Sequence, residues 1–151
     1  MTIPVVHSSF TIERRYPSPP ERVFSAFADP ALKARWFAVP AEWLDAVHEL
    51  DFRVGGREYN YGRDPEGRTH TFESRFHAIV PDQRIVFSYD LYHDEEHVSV
   101  SLTTVEIESD GSGTRLTFTE QGAYFEGPDG PAAREHGTGV LLDRLAGVLL
   151  T

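Results

Sequence analysis

The chain has 151 residues, 40% of them apolar and 12% aromatic, with a formal net charge of −10 and no cysteine. Its length fits a single domain over residues 1–151, and such a domain buries roughly 70% of the surface its unfolded chain exposes. Disulfides, thiolate chemistry and sulfur-bound metal are excluded, and so negative a chain is repelled by phosphate backbones, so nucleic acid is not an expected partner.

In chain order, Met1 to Ser9 reads as a loose lead-in and Phe10 to Tyr16 as a strand. Ser18, Pro19 and Glu21 form a cap-then-proline signal for a short helix, in which Val23, Phe24 and Phe27 make one apolar face. Asp29-Pro30 repeats the signal for a second short helix ahead of Trp36 and Phe37. Turn residues then punctuate the chain at strand spacing, giving segments near Trp43–Val54, Arg57–Arg63, Thr69–Val80, Arg84–Tyr92, His97–Glu108 and Thr114–Tyr124. Short connections make an antiparallel meander the simplest topology. Gly55-Gly56 reads as a bend, since neither a helix nor a lysine follows it.

Leu141, Leu145, Val148 and Leu149 recur at helical spacing, so the chain ends in an amphipathic helix from about Ala132 to Leu150, started by Asp129-Gly130-Pro131. Gly137 and Gly139 weaken its first turns or leave space there. No run approaches the roughly 20 apolar residues of a membrane span, and the first residues lack a basic segment followed by an apolar one. The expected location is therefore cytoplasmic.

Pro19 to Phe27, Asp29-Pro30 with Trp36-Phe37, Val54-Gly55-Gly56-Arg57, Pro81 with Arg84 to Phe87, and Gly113 to Thr117 carry a resemblance that spans nearly the whole chain. The sequence resembles the activator of heat-shock protein 90 ATPase homologue-like family, within the START-like, birch-pollen-allergen-like (SRPBCC) superfamily. The resemblance implies an α+β helix-grip fold: a curved antiparallel sheet of about seven strands, two short helices after the first, and a long C-terminal helix over a cavity. That family usually places a tryptophan beside the glycine of the last helix, where this chain has Thr138 after Gly137. One end of the expected cavity thus lacks a large aromatic.

The strands are aromatic at alternating positions: Tyr59 and Tyr61, Phe72 and Phe76, Phe87 and Tyr89, then Leu116 and Phe118. Each pair shares a face, which either fills a core or, facing the last helix, lines a cavity. Buried tyrosine hydroxyls need partners, which favours a pocket with a few placed polar groups. Trp36 and Phe37 are either a plug joining helix to sheet or a gate at the cavity mouth. His48 and His70 are candidates for the concave side, and His77 for the other face from Phe76. His93 to His97 has residues of metal-ligand type but reads as a solvated acidic turn. Glu58, Glu73, Glu106 and Glu120 read as solvated charges on the sheet. No nucleophile elbow, phosphate loop, dinucleotide-binding glycine pattern or zinc-protease motif is present. Lys33 is the one lysine; every other basic residue is arginine.

The leading expectation is a domain that binds a hydrophobic or aromatic small molecule without a cofactor or metal. Its expected ligand-binding residues are Trp36, Phe37, His48, Tyr59, Tyr61, His70, Phe72, Phe76, Phe87, Tyr89, Phe118, Thr138, Leu141 and Leu145. A second expectation, from the resemblance, is a module that binds a chaperone or other protein. A third is an enzyme like the related cyclases and aromatases, with His48, Tyr59, Tyr61 and His70 as first candidates, although no catalytic residue is assigned. A monomer and a homodimer are both compatible with the sequence.

Overall fold

The computed structural model describes residues 4–125 and 130–150. The element order is β1 (Val6–Tyr16), α1 (Pro20–Ala28), α2 (Pro30–Phe37), β2 (Leu44–Leu50), β3 (Arg57–Arg63), β4 (Thr69–Val80), β5 (Arg84–His93), β6 (Glu96–Asp110), β7 (Gly113–Tyr124) and α3 (Gly130–Leu149). The seven strands form one antiparallel sheet in the order β1-β7-β6-β5-β4-β3-β2, a meander closed by β1 lying beside β7. This is the α+β helix-grip arrangement: a curved sheet, two short helices after the first strand, and a long helix across the concave face.

Several boundaries differ from the sequence reading. β1 begins at Val6, where a loose lead-in is expected, because Val6 to Ser9 pair through their backbones with Tyr124 to Gln121. Val6 and His7 are exposed, so no burial pattern marks this extension. β2 ends at Leu50, well before Val54. Beyond it Gly55 takes φ +83°, and there is no room for a Cβ on Gly56, which would lie 2.1 Å from the Asp51 carbonyl oxygen. The expected bend is thus a backbone requirement, and it docks on β4 through Gly55 N–H to Phe76 O at 2.8 Å.

Asp29 caps α2, its Oδ1 accepting from Ala31 N and Leu32 N at 2.9 and 3.3 Å. Ser18 does not cap α1. That helix starts after Pro19 with no side-chain cap, and Ser18 is turned inward instead, its hydroxyl donating to Leu149 O near the end of α3. In α1 the buried stripe is Val23, Ala26 and Phe27, with Phe24 half-buried edge-on to Phe52. Asp129, expected in the α3 start, lies outside the described residues.

The core joins Val23 and Phe27 of α1 to Ile85, Val105 and Leu116 of the sheet and to Leu142, Leu145 and Leu149 of α3. Burying side chains of this size stabilises by about 1.5–3 kcal/mol each. α3 packs against β1, β7, α1 and α2. Tyr16 OH donates to Leu142 O at 2.9 Å, and Arg14 pairs with Asp143 at 3.1 Å, so the helix is fixed to the β1 side of the sheet. Burial holds the Tyr16 hydroxyl well above the usual tyrosine range, so it stays a donor. α3 makes its sheet contacts chiefly with β1 and β7 and diverges from β5, β4 and β3.

Candidate functional site

That divergence leaves a cavity of about 490 Å³ between the sheet and the helices. Strand alternation sets its wall. From β3 to β5, Asn60, Phe72 and Leu91 stand opposite one another in register and all face inward, with Tyr89 one inward step along β5. α3 contributes Arg134, Thr138 and Leu141, and the segment after α2 contributes Val39 and Trp43. The aromatic rings brace one another: Phe37 meets Phe72 edge-on at 4.9 Å, and Phe72 lies 4.7 Å from Tyr89.

Two buried charged groups interrupt the apolar wall. At the α2 end, Lys33 is only 4% exposed and its Nζ donates to Glu58 Oε1 at 2.9 Å. His48 Nε2 holds the other carboxylate oxygen at 2.8 Å. The ammonium also lies over the rings of Phe37, Trp36 and Phe27, 4.6 to 5.6 Å from their centroids. Burial opposes the ionised form of Glu58, but Lys33 and His48 outweigh it and hold its carboxyl below the ordinary range.

At the β7 end, Glu120 is 1% exposed and accepts from Tyr89 OH and Thr103 Oγ1, both at 2.9 Å. Arg134 donates to Tyr89 OH at 2.9 Å and to Ser99 Oγ at 2.7 Å, and lies 3.7 Å from the Glu120 carboxylate. Here burial wins: it pushes the Glu120 carboxyl up despite Arg134 and the two hydroxyl donors. Burial and the neighbouring Glu120 charge likewise push the Tyr89 hydroxyl far above its ordinary range, so it remains a donor. Glu58 and Glu120 are therefore interior groups and not the solvated sheet charges that the sequence reading expects.

Nine of the fourteen expected ligand-binding positions come together on this wall: Trp36 and Phe37 from α2, His70 and Phe72 from β4, Phe87 and Tyr89 from β5, Phe118 from β7, and Thr138 and Leu141 from α3. Trp36 and Phe37 lie inside the last turn of α2 and not after it. His70 pairs with Asp64 at 2.9 Å and lies against Trp43, with ring centroids 4.5 Å apart. The remaining five positions lie elsewhere. Tyr59 and Tyr61 stack on each other on the opposite face of β3, because Glu58 and Asn60 take the inward positions. Phe76 packs with Phe52, Leu145 is fully buried in the core, and His48 sits behind Glu58. The acidic residues of the His93–His97 turn are exposed, and His97 pairs with Asp90 at 2.8 Å.

Sequence reasoning missed Lys33, Asn60, Glu120 and Arg134. For Glu120 a signal exists, since it continues the inward phase of Leu116 and Phe118 by two residues. For Lys33 the signal is its place one turn before Trp36 and Phe37 on the same helix face. Asn60 has none, because period-two alternation does not say which of two phases faces inward.

A curved sheet gripping a long helix over a cavity of mixed aromatic and paired charged lining defines a helix-grip cavity protein. The family model described as Activator of Hsp90 ATPase homolog 1-like protein matches residues 17–149, so the chain belongs to that family. A solved structure from Rhizobium loti is 49% identical, covering 97% of this chain and 99% of its own, with a TM-score of 0.89. One from Rhizobium leguminosarum is 39% identical, covering 97% and 96%, with a TM-score of 0.91. One from Chromobacterium violaceum is 28% identical, covering 93% and 96%, with a TM-score of 0.76. No curated protein matches the chain. Among the described residues no helix is long and apolar enough to cross a membrane.

Proposed function

We propose that the protein binds a hydrophobic or aromatic small molecule in the cavity beneath α3. The observation that carries this is the partly open cavity of about 490 Å³, which falls within the roughly 300–1,000 Å³ of small-molecule sites. Its lining has the matching chemistry: mostly rings and aliphatic side chains, with a few fixed polar groups. A core built only for packing would close such a space, since interiors reach crystal-like density. For chaperone binding the support is the family description alone.

The test is a thermal-shift screen of aromatic and aliphatic lipophiles with the full chain. A ligand at a hundred times its Kd stabilises by about 2.7 kcal/mol, which raises Tm by several degrees. Leu141→Trp, which fills the space from the helix side, is expected to remove the shift while keeping the fold. A true ligand whose shift survives that substitution binds elsewhere and overturns the reading.

A further inference from the structure

Arg134 forms part of the cavity wall and keeps 14% of its side-chain surface exposed. Of the five N–H groups of a guanidinium, those on Nη1 go to Tyr89 OH at 2.9 Å and Ser101 Oγ at 3.3 Å, while Nη2 donates to Ser99 Oγ at 2.7 Å. Nε–H and one N–H of Nη2 have no acceptor among the described residues. The buried side-chain atoms without a partner there are Asn60 Oδ1 and Ser74 Oγ, so Arg134 Nε is not sealed off but retains accessible surface. The guanidinium carbon lies 5.5 Å from the Tyr89 ring centroid and 5.1 Å from that of Tyr124, and both tyrosines line the cavity.

All three of these acceptors are neutral hydroxyls. Glu120 stays 3.7 Å from Arg134, beyond hydrogen-bond reach, and its two oxygens are taken by Tyr89 OH and Thr103 Oγ1. Burial also favours a proton on that carboxyl, which weakens it as a counter-charge. Lys33 is the contrast, since Glu58 meets its ammonium directly at 2.9 Å and is held toward its ionised form. The surplus positive charge of the wall thus lies at the α3 and β7 end. We propose that the ligand is a monocarboxylate, its carboxylate accepting from Arg134 Nε and Nη2 while its aromatic or aliphatic body lies along the apolar wall. A planar guanidinium fork matches a carboxylate in geometry as well as charge, and the pairing offsets the cost of taking the anion out of water. The inference rests on the cavity-binding reading and adds to it the ligand's charged group and Arg134 as the residue that selects it.

The experiment is isothermal titration of the full chain with two matched pairs of probes: 2-naphthoate against 2-naphthamide, and octanoate against octanamide. Each pair keeps the body and the shape of the head group and changes only its charge. The carboxylate of the pair that fits is expected to bind about tenfold more tightly than its amide, because hydrogen bonds from a guanidinium to an ionised acceptor are the stronger ones. On a chain of net charge −10, diffuse surface attraction works against an anion, so this preference reports a local site. In Arg134→Gln the order is expected to reverse, with amide affinity kept within about twofold, since the anion then has no cation to meet. Arg134→Lys retains the charge without the planar fork and is expected to keep a reduced preference, which preserves the test if the glutamine disturbs the fold. An amide that binds the wild type as tightly as its carboxylate, or a preference that these variants leave unchanged, overturns the carboxylate inference and leaves the cavity reading standing. Failure of all four probes to bind counts against the cavity reading and removes this inference with it.

Discussion

Lys33 is buried among three rings because Glu58 answers its charge, so neither residue tolerates the loss of the other. Lys33→Met is expected to cost about 3–5 kcal/mol in chemical denaturation, with Lys33→Met/Glu58→Leu recovering much of it, because the single variant strands a buried carboxylate. The two interior carboxylates also act in opposite directions with pH. Glu58 is held below its ordinary value of 4.5, so its contribution is present above pH 4.5 and is lost as pH falls through its depressed folded value. Glu120 is held above 4.5, so between that pH and its raised folded value the native state keeps a proton that the unfolded chain gives up. Across that window wild-type stability falls as pH rises. Glu120→Gln is expected to flatten this slope in Tm measured from pH 4.5 upward, and an unchanged slope would show that Glu120 is not its source.

Among the elements, α3 combines a buried stripe with three glycines, Gly130, Gly137 and Gly139, in its first half. Gly137 is exposed and a Cβ there meets nothing within 4 Å, so Gly137→Ala is expected to add about 1 kcal/mol and raise Tm by about 2–4 °C. Gly62 on β3 is the contrast, since a Cβ there would lie 2.8 Å from Val39 Cγ2 and 3.0 Å from the Trp43 ring. Gly62→Ala is therefore expected to lower Tm and to change ligand affinity by pushing the 39–43 segment, which forms part of the cavity wall, outward. Element types were legible in the sequence because helical spacing and turn residues are local signals: Asp29 caps α2 as read, and Gly55-Gly56 turns the chain. Ser18 shows where local signals stop, since its hydroxyl serves Leu149, 131 residues away.

At the level of the whole molecule, the cavity lies where α3, anchored to β1 through Tyr16 and Arg14, leaves β5, β4 and β3 largely uncontacted. Its aromatic lining was readable from alternation once the inward phase was known, as for Phe72, Phe87 and Phe118. The phase of β3 was not readable. Two tyrosines look like core residues, yet the inward positions hold Glu58 and Asn60, whose partners Lys33, His48 and Phe37 come from α2 and β2. Buried polar groups are placed by partners remote in sequence, so the polar half of the site emerges only when the elements are assembled.

Trp36 and Trp43 are the chain's two tryptophans, and both border the same cavity. The protein thus carries its own optical reporter: every indole emission arises at the wall, and an occupant that excludes water or stacks on a ring changes intensity or wavelength without an attached dye. Trp43→Phe would leave Trp36 as the single emitter, separating events at the α2 end of the chamber from those near His70.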